Sequence, residues 1–308
     1  MTGGDESQNE AAPVTLWNSG TPAAWITIQA EHKWKATLDC EMLCDAYIDL
    51  RNASYVLIQN FVITHGYKEA IHSNDAAHHI MIEGNRIEYI ANRATSAGVG
   101  LDGMYTNANC HDFIVDANVF HDIGRTNASQ LDHGLYLRGR NYVITNNVFY
   151  NIAHGWSIQM ADGLSNVTIA NNTFAFPDAG SQGGQIMMWN TQFNVIVRNN
   201  IFFQSVNSAI ARFESVVDNC AIDHNLVFGA STMMRDSTGC TSGSNQLGVD
   251  PRLVNTLTAP YDFHLSPSSP AIAAGAALPD VVWDFDGNIR PMGLPYDVGA
   301  YTLVPRVP

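Results

Sequence analysis

Basic side chains are scarce in this chain: 15 Lys plus Arg stand against 29 Asp plus Glu in 308 residues, a formal net charge of −14. So acidic a surface repels phosphate backbones and anionic headgroups, and excludes nucleic acid and an anionic membrane as expected partners. Long apolar runs are missing, and with them any stretch able to span a bilayer. Met1 to Pro13 is polar and holds no apolar signal-peptide core, so the chain is read as a secreted or periplasmic protein whose leader lies outside it. Helical periodicity is absent as well. Cysteine is sparse, with five residues, which allow at most two disulfides. Cys40 with Cys44 and Cys220 with Cys240 are the pairs that spacing offers, and Cys110 is left over. Two such pairs suit an oxidising compartment, and a C-x3-C without a second ligand pair does not specify zinc.

What is present is repetition. YVLIQNFVIT (55–64), HIMIEGNRIE (79–88), DFIVDANVFH (112–121), NYVITNNVFY (141–150), NVTIANNTFA (166–175), NVIVRNNIFF (194–203) and NCAIDHNLVF (219–228) share one pattern. Aligned on Asn60, Asn85, Asn118, Asn147, Asn172, Asn200 and Asn225, they recur every 25, 33, 29, 25, 28 and 25 residues, the spacing of stacked repeats. Each alternates apolar and polar residues, so the unit is built of strands. A further strand reads before each segment, at EAIHSND, GVGLDGM, HGLYLRG, GWSIQM, GQIMMWN and SAIARFE. Two to three short strands per coil, stacked about 4.8 Å apart, make an all-β, single-domain parallel β-helix. The recurrent Asn fits a sharp turn, where it tolerates a left-handed backbone and bonds to its equivalent one coil away. Residues 1–16 read as a disordered N-terminal segment, 17–303 as the solenoid with a terminal capping segment from about 248, and 304–308 as a tail.

The NN-[VTI]-F turns, the opening GTPAAWITIQAEHKWKATLDC (20–40) and the closing DFHLSPSSPAIAAG and DFDGNIRPMGLPYDVGAY resemble the secreted right-handed parallel β-helix proteins of the pectate-lyase-like superfamily. The resemblance spans about residues 17–303 and implies a right-handed solenoid and a carbohydrate-active protein. It implies no single reaction, because the superfamily includes polysaccharide lyases, glycoside hydrolases, uronan epimerases, pectin methylesterases and phage depolymerases. The DPH motif of alginate epimerases and the signatures of pectin methylesterases are absent.

Chemistry then depends on which side chains leave the solenoid. With Ile71, Val99, Leu135, Trp156, Ile186 and Ile210 aligned as inward residues, one outward column is His72, Gly100, Tyr136, Ser157, Met187 and Ala211. The next is Asn74, Asp102, Arg138, Gln159, Trp189 and Phe213. A line just upstream is Glu69, Ala97, His133, His154, Gly184 and Ser208. The middle coils concentrate function: His133, Tyr136, Arg138, His154 and Asp102 are the catalytic candidates, and His72, Asp132, Gln159 and Trp189 the substrate-binding ones. The two longest coils add residues around Arg93 to Gly98, Tyr105 to His111 and Arg125 to Asp132, expected to wall a groove. Each candidate has a plainer alternative. Arg138 would pair with Asp102 on the next coil, the histidines would bond backbone carbonyls, Trp189 would enter the core if the register slips, and Asp132 would cap a turn. Asp284 and Asp286 in DFDGN hint at calcium (Ca2+) but read better as part of the terminal structure; no cofactor is demanded.

The leading expectation is a monomeric polysaccharide lyase acting on a uronic-acid chain, with Arg138 neutralising the carboxylate, His133 as base, Tyr136 as acid and His154 able to exchange roles. Epimerisation would use the same set. A glycoside hydrolase built on Asp102 and Asp132 is the alternative, and a non-catalytic, tail-spike-like polysaccharide-binding solenoid is the third reading.

Overall fold

A computed structural model of the chain describes residues 12–92, 100–125, 131–161, 163–177, 183–213 and 216–304. The expected loop 93–98 with Val99, and residues 126–130 of the expected loop from Arg125 to Asp132, lie outside the described residues, as does 1–11. Three sheets of nine parallel strands wind as a right-handed β-helix, each coil giving one strand to each sheet. The first sheet runs from Val14–Thr15 through Glu69–Ser73, Leu101–Thr106, Asp132–Leu137, Ile158–Met160 and Ile186–Trp189 to Thr232–Met234. The second carries the long strands, such as His78–Glu83 and His111–Asp116, and the third the short ones, such as Arg86–Glu88 and Val119–Ile123.

Period-two alternation drives this winding. In Ser54–Gln59 every second residue is buried, and these inward side chains stack on their equivalents one coil along. Phe120, Phe149, Phe174 and Phe202 form one such column, with ring centroids 4.9, 5.1 and 5.0 Å apart. Each fully buried ring contributes about 1.5–3 kcal/mol in area alone.

The corner between the second and third sheets splits across two adjacent residues the duties expected of one asparagine. The first takes the left-handed backbone: Asn60 (φ 70), Gly84 (φ 65), Ala117 (φ 53), Asn146 (φ 55), Asn171 (φ 54) and Asn199 (φ 57). The second turns inward and forms the buried ladder. Asn85, Asn118, Asn147, Asn172 and Asn200 each donate from backbone N and side-chain Nδ2 to the Oδ1 of the next asparagine, at 2.9–3.2 Å. Asn225 bonds Asn245 in the same way. Asn60 therefore leaves the ladder alignment, because Phe61 occupies the ladder position and donates its N–H to Asn85.

The chain after about 248 repeats nothing. It forms an antiparallel pair, Leu253–Asn255 with Asp262–Leu265, and packs Phe263, Val298 and Ala300 against Val148, Ile201 and Leu226 of the third sheet. Fully buried Arg290 donates to Asn146 Oδ1 (2.7 Å) and to the carbonyls of Gly299 and Ala300 (3.1 Å each). Asp284 accepts from the backbone N–H groups of Asp286, Asn288 and Thr302 and from the Asn288 amide, so its two oxygens clamp the DFDGN loop. Cys40 pairs with Cys44 and Cys220 with Cys240, and Cys110 is free and buried.

Candidate active site

Strand pairing in the first sheet fixes which side chains are neighbours. His72, Tyr105, Tyr136, Gln159, Met187 and Ala211 occupy one outward position on six successive coils. Their inward companions are Ile71, Met104, Leu135, Ile158, Ile186 and Ile210. Two expected members of that inward column are thus replaced: Met104 stands where Val99 was aligned, and Ile158 where Trp156 was. Gly100 and Ser157 leave the outward column as a result. Asp102 moves out of line with Arg138 and pairs in register with His133.

Strict alternation would hide Asp102 and His133 on the inside, yet both face the same groove as Tyr105 and Tyr136, three residues further on. The residues between them explain this. A Cβ on Gly103 would come within 2.6 Å of the Gly134 carbonyl oxygen, and one on Gly134 within 2.5 Å of that of Ser157. The coils approach there more closely than any side chain allows, and the strands depart from regular pleating at the glycine. Glu69 with His72 and Trp156 with Gln159 show the same three-residue spacing around Ala70 and Ser157.

The result is a groove of about 580 Å³ lined by Glu69, Gly100, Asp102, Tyr105, Leu131, His133, Tyr136, Trp156, Gln159, Trp189 and Phe213. Tyr105 and Tyr136 stack at 5.6 Å, and Trp189 and Phe213 at 4.7 Å. The apolar faces of sugar rings suit such platforms. Asp102 is 2% exposed and accepts the His133 backbone N–H at Oδ1 (3.1 Å). Burial, reinforced by the negative charges of Glu69 and Asp132, raises its pKa well above the ordinary range and so favours its protonated form. Burial pushes His133 the other way, down to about 3. Its Nδ1 accepts the Trp156 backbone N–H (3.2 Å), which leaves the ring proton on Nε2. Glu69 lies 3.6 Å from His72 Nδ1. Burial opposes the charge on His72, but the negative carboxylate of Glu69 beside it outweighs that and raises its pKa.

Five predicted residues therefore meet: Asp102, His133, Tyr136, Gln159 and Trp189. The role expected of His133 changes, because its acceptor nitrogen is occupied; it is a neutral donor, not a base. His72 borders the groove through Glu69. Asp132 leaves the candidate list, since it is fully buried and held by Arg125 through Nη2 (2.6 Å), Nε (2.9 Å) and backbone N (2.7 Å). An aspartate so engaged cannot also serve a hydrolase. His154 stands two residues before Trp156 in a left-handed turn (φ 52), and Trp156 takes the place expected for it next to His133. Arg138 lies at the far end of the His133 strand, outside the lining, and the expected pairing with Asp102 does not form, because the register sets Asp102 against His133. Glu69, Tyr105, Trp156 and Phe213 were missed as site residues. The parallel between Asp102-Gly-Met-Tyr105 and His133-Gly-Leu-Tyr136 was the signal that would have found Tyr105.

Three comparisons bear on this geometry. No curated protein matches the chain in sequence. Among solved structures it is similar to the pectate lyase Pel9A, with a TM-score of 0.62 and 13% identity over 97% of this chain and 84% of that one. It is similar also to an alginate lyase from Paenibacillus sp. str. FPU-7 (TM-score 0.55, 13% identity, 77% and 84% covered). The A-module of the Azotobacter vinelandii mannuronan C-5 epimerase AlgE6 is a third (TM-score 0.53, 11% identity, 72% and 58% covered). At these identities the likeness is one of fold. The family model described as a right-handed beta helix region matches residues 26–202, more than half of the 308. With its three parallel sheets and its asparagine ladder, the chain belongs to the right-handed beta helix family.

Proposed function

We propose that the groove on the first sheet cleaves a uronic-acid-containing polysaccharide by β-elimination, outside the cytoplasm. The observation that carries this reading is Asp102, a buried acid whose surroundings favour its protonated form, in register with a neutral histidine whose proton is on Nε2. A uronate carboxylate needs neutralising before its C5 proton becomes acidic. Asp102, His133 and the Gln159 amide supply neutral donors, so the acidic groove accepts an anion without adding a third charge. Glu69 takes the C5 proton, the electron pair forms the C4–C5 double bond, and the C4–O bond breaks. Tyr136 delivers its phenolic proton to the departing oxygen and is reprotonated from solvent. Tyr105, Trp189 and Phe213 hold the flanking sugars. The named activities of the pectate lyase, the alginate lyase and the mannuronan epimerase, all on uronic acids, support the substrate class. The two disulfides support an extracellular setting.

One observation favours hydrolysis as a second reading. Glu69 and Asp102 line the groove from adjacent coils, whose spacing of about 5 Å is that of a retaining carboxyl pair. A panel of uronans and neutral glycans, read by ultraviolet absorbance of unsaturated product beside new reducing ends, separates the two. Elimination gives both signals. Asp102→Asn should then keep turnover within about tenfold of wild type, because an amide still donates, whereas Asp102→Ala should lose about a hundredfold. Reducing ends without absorbance, together with a dead Asp102→Asn, would make the protein a hydrolase. Binding without any product would make it a non-catalytic solenoid.

A further inference from the structure

The second sheet carries a side-chain cluster that the groove does not use. His78 and His111 begin strands at the same place on successive coils, their rings 4.7 Å apart and parallel to within 1°. The residue after each is left-handed, His79 at φ 52 and Asp112 at φ 59, which brings its side chain beside the pair. His78 Nδ1 lies 2.9 Å from His79 Nδ1, and one nitrogen from each of His78, His79 and His111 lies within 4.8 Å of the other two. Asp112 Oδ2 is 2.6 Å from His111 Nδ1 and 3.8 Å from His79 Nδ1, while its Oδ1 is fixed by the Asn141 amide at 2.8 Å. Tyr55 covers one side, its ring 4.5 Å from that of His79.

We propose that His78, His79 and His111 bind one divalent late-transition-metal ion of the zinc, nickel or copper class, with Asp112 orienting His111 and balancing charge. Three imidazoles converge here, and each neutral ring offers one acceptor nitrogen. Imidazole donors select zinc, nickel and copper over calcium and magnesium, which require oxygen cages. Nitrogens about 2.0–2.1 Å from a tetrahedral ion stand about 3.3 Å from one another; His78 and His79 Nδ1 are 2.9 Å apart and the three candidate nitrogens all lie within 4.8 Å of one another, so ring rotations close the site. A carboxylate on the second nitrogen of a metal-bound histidine fixes that ring for binding. All three histidines are half-buried, which leaves solvent a path for the ion. The ion would join residues 78–79 to 111–112, the two ends of the longest coil, 33 residues from Asn85 to Asn118, and so clasp the repeat with the costliest closure.

Protein stripped with chelator and titrated with zinc chloride at neutral pH tests this. Wild type should take up one zinc per chain by calorimetry, with a rise in Tm as binding to the folded state requires. His78→Gln and His111→Ala should each weaken binding at least about tenfold, and Asp112→Asn about tenfold. His224→Gln, a histidine on a distant coil, should bind like wild type. Copper(II) on unmodified protein gives a readout that needs no variant, a paramagnetic resonance spectrum split by imidazole nitrogens. Absence of both zinc and copper uptake by wild type, affinity indifferent to His78 and His111, or a copper spectrum without nitrogen splitting would overturn the proposal.

Discussion

The asparagine corner and the groove face are built from the same coils at the same spacing, yet they use repetition in opposite ways. At the corner, every coil from Asn85 to Asn245 puts an asparagine in the same place, and the amide of one meets the carbonyl oxygen of the next. On the groove face the equivalent position reads His72, Tyr105, Tyr136, Gln159, Met187 and Ala211, a different chemistry at each step. In a stacked array, what recurs holds the coils together, and what fails to recur marks where they meet something else.

The largest effect expected from testing that contrast is on the groove. Glu69→Gln keeps the size and hydrogen bonding of the side chain but removes the base, so turnover should fall about a thousandfold with the fold intact by circular dichroism. Near wild-type turnover would transfer the proton abstraction to another group. Its neighbour Asp102 shows the cost of holding chemistry in a core. Its folded pKa is raised, so between the unfolded value near 3.8 and the folded one the native state holds a proton that the unfolded chain releases. Stability from this group therefore falls as pH rises through that window, and Asp102→Asn should raise Tm at neutral pH.

The corner gives the next largest effect, best measured against a second asparagine row. Asn141, Asn166, Asn194 and Asn219 also bond amide to carbonyl coil by coil, at 2.7–2.8 Å, but outside the barrel of strands. Asn172→Ala would leave the Asn147 N–H and the carbonyl of Ile144 buried without partners and should cost roughly 2–3 kcal/mol in urea denaturation. Asn166 is exposed, so water replaces its bonds; Asn166→Gly, which keeps its left-handed φ of 57 comfortable, should cost under about 1 kcal/mol. Equal losses would mean that burial does not set the value of a ladder. Neither change should alter turnover.

The same contrast explains what could be read from the sequence. The recurrent asparagine and the alternation around it were enough for the stacked parallel architecture, because every coil reports the same constraint. The division of labour between Asn146 and Asn147 was hidden, since both are asparagine and only hydrogen bonding tells them apart. On the groove face, alternation carries parity alone. Val99 was an acceptable inward residue by that criterion, and choosing it over Met104 misplaced Asp102 and concealed Tyr105. The glycine that turns Asp102 and His133 outward breaks parity at the point where chemistry is built. Asp132 looked like a free carboxylate because its partner Arg125 is seven residues away, across a turn that no period describes. His78, His79 and His111 form no local motif, being spread from 78 to 111 until coiling joins them.

The smallest effect concerns the segment that repeats nothing and belongs to neither pattern. His264 sits between two carboxylates, with Nε2 2.7 Å from Asp286 and Nδ1 2.5 Å from Asp262, and its ring packs 4.0 Å from that of Tyr301. The Asp286 hydrogen bond raises its pKa to about 9 against the opposing effect of burial. A histidine raised in the folded state binds its proton more tightly there than in the unfolded chain. Its contribution is therefore complete below about 6.5, shrinks as pH rises and is gone above about 9. The side chain is 45% exposed, so solvent screening holds the contribution to about 1 kcal/mol or less. His72 and His121 also have raised values and titrate beside it, which makes the difference between wild type and a variant the quantity to measure. Urea denaturation at pH 6, 7.5 and 9 should show wild type losing its advantage over His264→Gln across that range, with the two alike at the top. A constant gap at all three pH values would mean that His264 holds the segment by packing on Tyr301 and not by its charge.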